Sequence, residues 1–313
     1  MAKAKAGATV FDDVFRTIVE KMPQLLIGLI NEMFQRQYPQ DTPIRHYRNE
    51  HMTPRGKIVT DSVELVGGEI YHIECQSLPD RSMIVRMFEY DIYIALEDAD
   101  WSKDVVSVRM PRSGVLYLRG VSGPKKLQLI LPDGQEVAYI TATLLAQNYT
   151  QDDLFQQNLL FLVPFYAMRY EEQLHKAGGM DSADKEQMLE DFNCLQKRLE
   201  EELPLTKKAR VYVNLVNLMR RVDDYVYRND KSARKGVDDI MGGKSYELYS
   251  NILERRGREE GREEGREEGR EEGRKEERIS LLRKMFHLGK LSISEAAEMA
   301  GMSTEAFKKI AML

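Results

Sequence analysis

Residues 58–77 read IVTDSVELVGGEIYHIECQS. Gly67-Gly68 joins two β-rich runs, and a two-residue type I′ hairpin turn needs positive φ at both central positions, which glycine adopts without steric cost. If Val66 and Glu69 flank that turn, counting back along both strands sets Asp61 directly opposite Glu74. Directly opposed residues have Cβ atoms ~4.5–5.5 Å apart, a separation at which two carboxylates can share one hard divalent cation. Strand alternation carries His72 and Gln76 to the same face as Glu74.

Two like charges facing each other on a hairpin are destabilising unless a cation lies between them. Apolar residues occupy both faces, with Val63, Leu65 and Ile70 on one and Tyr71, Ile73 and Cys75 on the other, so the hairpin reads as central in its sheet. The pair therefore reads as a metal site in preference to an exposed charged face. Mg²⁺ takes oxygen ligands and keeps several waters. Held by Asp61 and Glu74, it would polarise a phosphodiester and lower the pKa of a bound water for in-line attack. Gln76 would orient that water or the scissile phosphate. Its amide cannot take a proton, which makes it a weaker catalyst than lysine.

The pattern around this hairpin mixes helix and strand. Apolar positions from Phe11 to Phe34 follow one face of a helix, which Pro23 interrupts. Strand-like runs at Lys57–Val66 and Glu69–Ser77 precede a helical run from Arg81 to about Asp98. Shorter strands are expected at Val105–Met110, Gly114–Leu118, Leu127–Leu131 and Glu136–Thr141, with a turn at 132–134. Residues 1–150 thus form an α/β core and 151–253 a helical region. In the latter, Asp152 or Asp153 is expected to cap a helix running through Leu154–Val163, followed by helices over Ala183–Leu203 and Lys207–Tyr227.

Residues 254–278 hold four perfect copies of Gly-Arg-Glu-Glu (257–272) and a decayed fifth. Ion pairs one turn apart favour a helix by ~0.2–0.5 kcal/mol each, but each glycine costs ~1 kcal/mol against alanine. The segment reads as a marginal, solvated helix or spacer. An apolar helical period resumes in 279–313. There Gly301 is expected to form a turn between two short helices, with Ser303 or Thr304 capping the second.

The whole chain has 313 residues, 46 Lys plus Arg against 51 Asp plus Glu, and a formal net charge of −5. A bulk basic coat for nucleic acid or anionic membrane is excluded, so DNA binding must rest on a local patch or a metal. Two cysteines, Cys75 and Cys194, exclude a disulfide framework. The start of the sequence shows no signal-peptide pattern. The longest apolar stretch, Leu159–Met168, is broken by Pro164 and is far short of the ~20 residues of a membrane helix. A cytoplasmic location, without membrane partners, is expected.

Asp61, a hairpin, then Glu74-Cys75-Gln76 resembles the PD-(D/E)XK nuclease motif in its E-x-Q variant. His72-Ile73-Glu74-Cys75-Gln76-Ser77 followed by Arg86 and Tyr90 resembles the Rpn family of recombination-promoting nucleases, also called YhgA-like transposases. Asp12, Phe15 and Arg16 match the D-x-x-F-K/R opening of that family, and charged repeats with a small helical tail are common in it. The resemblance implies a restriction-endonuclease-like core with a mixed sheet flanked by helices. It further implies a Mg²⁺-dependent DNA endonuclease with a role in DNA rearrangement. Carried onto this chain, Asp61 and Glu74 are metal ligands and Gln76 stands at the catalytic lysine position. Asp12 matches the acidic residue that such folds place on the first helix. Thr60 stands where the motif has proline.

Several residues carry two readings. Arg86 and Tyr90, one helical turn apart, reach a DNA phosphate, where Arg86 would stabilise developing charge, or brace the metal carboxylates; in the other reading Tyr90 packs in the core and Arg86 is a structural ion-pair partner. Asp12 is a metal ligand or a first-turn acid favoured by the helix dipole. Cys75 alternates away from the metal face and reads as a buried thiol. His72 shares that face, but magnesium prefers oxygen, so a place in the core or behind the ligands is expected. The tail is a helix-turn-helix DNA reader or a partner-docking unit, through which, together with the repeat, the chain would form a homo-oligomer.

Overall fold

The computed structural model describes residues 9–47, 50–53, 56–120, 122–175, 179–203, 209–241, 258, 262, 266, 270 and 278–311. Two compact units are present, 1–249 and 250–313. In the first, α1 (Val10–Lys21) opens on a capping box: Thr9 Oγ1 accepts from the Asp12 N–H, and Asp12 Oδ2 accepts from the Thr9 N–H. Pro23 lacks the N–H that would continue α1. The chain passes through a 3₁₀ turn at Pro23–Leu25 into α2 (Leu26–Phe34). Phe15, Ile18, Leu26 and Ile30 are fully buried, and each contributes about 1.5–3 kcal/mol of hydrophobic stabilisation.

Then come β1 (Ile44–His46), β2 (Glu50–Thr53), β3 (Gly56–Val59), β4 (Ser62–Val66), β5 (Glu69–Gln76) and α3 (Met83–Glu97). They are followed by β6 (Asp100–Trp101), β7 (Val106–Ser107), β8 (Arg112–Tyr117), β9 (Lys126–Ile130), β10 (Glu136–Ile140) and β11 (Ala142–Leu145). The central sheet runs β1-β4-β5-β8-β11, antiparallel on the β1-β4-β5 side and parallel from β5 through β8 to β11. The hairpin expected at Gly67-Gly68 is present: Val66 pairs with Glu69 and Val63 with His72, and the two glycines have φ of 59° and 83°.

Strand alternation divides the sheet residues between two helical layers. The Tyr71 side meets α2, where the Phe34 and Tyr71 ring centroids are 5.1 Å apart and Gly114 leaves room for Met33. On the opposite side Val115 and Tyr117 pack against Met83 and Met87 of α3. The observed architecture is thus an α/β fold whose mixed sheet is flanked by helices.

Some expected elements take another form. The run at 57–66 is two strands, because the chain bends at Thr60-Asp61 and β3 pairs with β2 in a separate ribbon. The strand expected at Val105–Met110 shrinks to β7. The helix expected through Val163 stops early. Thr150 caps α4 (Gln151–Gln156), with Asp153 as its capping-box partner, and 3₁₀ turns span Leu160–Tyr170 around Pro164. A short α5 (Glu171–Leu174), α6 (Ser182–Glu202), α7 (Ala209–Val226) and α8 (Lys231–Met241) complete the unit. The helical region is joined to the sheet layers by packing: Phe15 of α1 meets Phe161, and Phe11 meets Tyr225 of α7.

In the second unit, residues 278–287 form α9, followed by α10 (Ile293–Ala300) and α11 (Thr304–Ala311). Gly301 adopts φ of 68° at the expected turn, and Ser303 Oγ accepts from the Ala306 N–H. Leu282, Ala296, Ala297, Phe307 and Ala311 form a small core. The Gly-Arg-Glu-Glu repeat lies outside the described residues, apart from Arg258, Arg262, Arg266 and Arg270, which are helical.

Candidate active site

Asp61 and Glu74 come together at the carboxyl end of β5, where the parallel strand β8 also ends and the chain turns toward α3. Open α/β sheets bind ligands at the carboxyl ends of their strands. Asp61 sits at the bend before β4, one pair beyond Ser62 opposite Ile73. Its N–H donates to Glu74 Oε1 at 2.9 Å, and its Oδ2 accepts from the Cys75 N–H at 3.1 Å. Both carboxylates are buried, with residue exposures of 8% and 3%.

Each carboxylate faces an arginine. Arg16 Nη2, from α1, donates to Asp61 Oδ1 at 3.1 Å. Arg86 Nη2, from the first turn of α3, lies 3.8 Å from Glu74 Oε2, while its Nη1 donates to Asp80 Oδ2 at 3.1 Å. Burial, reinforced by the charge of Glu74, pushes the Asp61 carboxyl up to about 7 against the opposing pull of the Cys75 N–H and Arg16. Burial also acts upward on Glu74. It is outweighed by the hydrogen bond and charge of His72, the Asp61 N–H and Arg86, so Glu74 lies below the ordinary range.

Behind Glu74 runs a chain of buried polar groups. His72 Nε2 is 3.3 Å from Glu74 Oε1, and His72 Nδ1 is 2.6 Å from Asp91 Oδ1 of α3. The hydroxyls of Ser113 and Tyr139 both donate to Asp91 Oδ2. His72 is completely buried, which by itself lowers its pKa. The two flanking carboxylates reverse that and bring it up to about 9, so it is an imidazolium at neutral pH. His72 thus lies in the core beside Glu74, held by an aspartate that local sequence patterns do not reveal.

The other expected residues are placed as follows. Gln76 ends β5 half-buried, two residues beyond Glu74 on the same face by strand alternation. Arg86 is at the site, and its guanidinium lies 5.8 Å from the ring centre of Tyr90. Cys75 is buried, and burial pushes its thiol well above the usual range. Asp12 closes the N-terminus of α1 through Thr9, and its charge, like those of Asp61 and Glu74, acts on the Cys75 thiol. Among the described residues no group of three or more His, Cys, Asp or Glu side chains converges on a metal position.

The donor set nevertheless fits a hard divalent cation. It consists of two carboxylates in a buried place, one of them raised by burial and by its neighbour's charge, a repulsion that a cation between them would relieve. A cavity of about 1050 Å³ lies elsewhere, at the opposite end of the sheet beside Gly68, Glu69 and Arg112. The two carboxylates and their arginines converge at the other end. There a smaller cavity of about 550 Å³ opens beside Leu78, Arg119 and Gln147.

Among the described residues no helix is long and apolar enough to cross a membrane. Comparison with protein-family models, curated proteins and solved structures finds no match for this chain.

Proposed function

We propose that the chain is a Mg²⁺-dependent DNA endonuclease, with Asp61 and Glu74 as the metal ligands. The observation that carries this reading is the mutual locking of two buried carboxylates at the carboxyl end of the sheet, each facing an arginine. Bound there, the cation supplies Lewis acidity toward a phosphodiester and a water of lowered pKa. Asp61 and Glu74 hold fixed positions through the Cys75 and Asp61 N–H groups. Gln76 orients water or phosphate, and Arg86 counters charge that develops on the phosphate. An antiparallel hairpin, a helix and then a parallel strand support a PD-(D/E)XK-like core. The broader role in DNA rearrangement, and self-association through the repeat and tail, rest on the sequence resemblance.

A second reading is favoured by one observation: Gln76 stands where a proton-accepting lysine is expected. In that reading the chain is a weak or inactive nuclease that binds DNA or regulates as an oligomer. Incubating the full chain with labelled duplex DNA, in Mg²⁺ and in EDTA, separates the two. Mg²⁺-dependent cutting supports the endonuclease. DNA binding without turnover supports the second reading.

A further inference from the structure

Both oxygens of Asp61 are engaged: Oδ2 by the Cys75 backbone, which belongs to the fold, and Oδ1 by Arg16, whose side chain is one-third exposed. Arg16 is itself incompletely paired. Its Nη2 reaches Asp61, while its Nε–H is buried and has no acceptor among the described residues. A guanidinium edge is built to grip two oxygens at once, but Arg16 meets only Oδ1 of Asp61, whose Oδ2 accepts from Cys75. Leaving a buried N–H unsatisfied is costly, so a doubly accepting partner such as a phosphate would suit Arg16 better than Asp61 does.

We propose, resting on the endonuclease reading, that Arg16 is a phosphate-binding residue that stands on Asp61 in place of the divalent cation. Arg16 neutralises Asp61 while the metal is absent. With a cation held by Asp61 instead, the guanidinium would be free to grip the scissile or an adjacent phosphate through Nε and Nη2. Arg16 thereby competes with metal and cooperates with DNA. A residue that merely braced Asp61 would aid both.

The test measures two affinities in the full-length chain, for Mn²⁺ alone by titration calorimetry and for a fluorescent DNA duplex in Ca²⁺ by anisotropy. In Arg16→Gln, Mn²⁺ affinity is expected to rise several-fold, and DNA affinity to fall about tenfold, the scale of one charge-assisted bidentate contact. Unchanged or weaker Mn²⁺ binding in this variant, with wild-type binding intact, overturns the assignment of Arg16. Should Arg16→Gln fail to fold, Arg16→Lys decides. It retains the charge beside Asp61 but not the two-toothed edge, so DNA affinity falls while Mn²⁺ affinity holds, and undiminished DNA binding overturns the assignment. The site itself is tested by Asp61→Asn. If the wild type binds no Mn²⁺, or binds it equally well after that change, the endonuclease reading fails along with the Arg16 proposal.

Discussion

The Asp61 N–H donates to the Glu74 carboxylate, and the Asp61 carboxylate accepts the N–H of Cys75, the residue next to Glu74. Each acid is therefore aimed by the other's strand. This holds two negative groups close together without the fold depending on their relaxing apart. It also sets the pH response of the metal-free chain.

Asp61 rises from an ordinary 3.8 to about 7 on folding. Its ionisation therefore opposes folding: the cost is absent below about pH 4, grows as pH rises, and is complete above about pH 7. The melting temperature in EDTA should fall across that window. Asp61→Asn, whose side-chain carbonyl can still accept from Cys75, should flatten the slope. Mg²⁺ should raise the melting temperature more at pH 8 than at pH 6. A melting temperature of the wild type in EDTA that is insensitive to pH would contradict this account.

His72 contributes with a different window. Its pKa rises from 6.5 to about 9 on folding, so its stabilisation is complete below about pH 6.5 and is lost as pH climbs through 9. Replacing it by asparagine leaves Glu74 and Asp91 buried without their shared cation. Removal of one partner from a buried ionic group costs about 3–5 kcal/mol. Urea denaturation at pH 6 should register a loss of that order, and a loss below ~1 kcal/mol would show that the pairing does not stabilise the fold.

Gly28 is set by packing. A Cβ there would run into the backbone carbonyl of Asn158, where α2 approaches the loop after α4. Gly28→Ala should destabilise by about 1–3 kcal/mol, as overpacking does, whereas helix propensity alone favours alanine by about 1 kcal/mol. The sign of the change in urea midpoint decides between them.

The tail has its own core around Phe307 and Leu282, and residues 1–249 form a compact unit. A chain ending at Tyr249 should melt cooperatively near the full-length temperature and keep any DNA cleavage. Its mass in solution, from light scattering, should fall by more than the deleted segment if the repeat and tail carry self-association.

The hairpin was legible because two glycines fix its turn and strand periodicity then fixes each partner, down to Asp61 opposite Glu74. The break at Pro23 was equally legible, since a missing N–H is a local property. What sequence patterns did not reveal is long-range. Asp91 meets His72 from nineteen residues away, and Arg16 meets Asp61 across forty-five. Neither has a spacing signature, because each depends on how a helix docks on the sheet. Strands β1 and β11 escaped notice for a related reason. At three and four residues, they are too short for alternation to show, and their neighbours in the sheet define them.

The most direct test of the central claim is supercoiled-plasmid cleavage by equally pure wild type, Asp61→Ala and Glu74→Ala, in Mg²⁺ and in EDTA. Nicking by the wild type in Mg²⁺ only, and its loss in both variants, is the expected result. No cleavage by the wild type, or equal cleavage by all three chains, would contradict it.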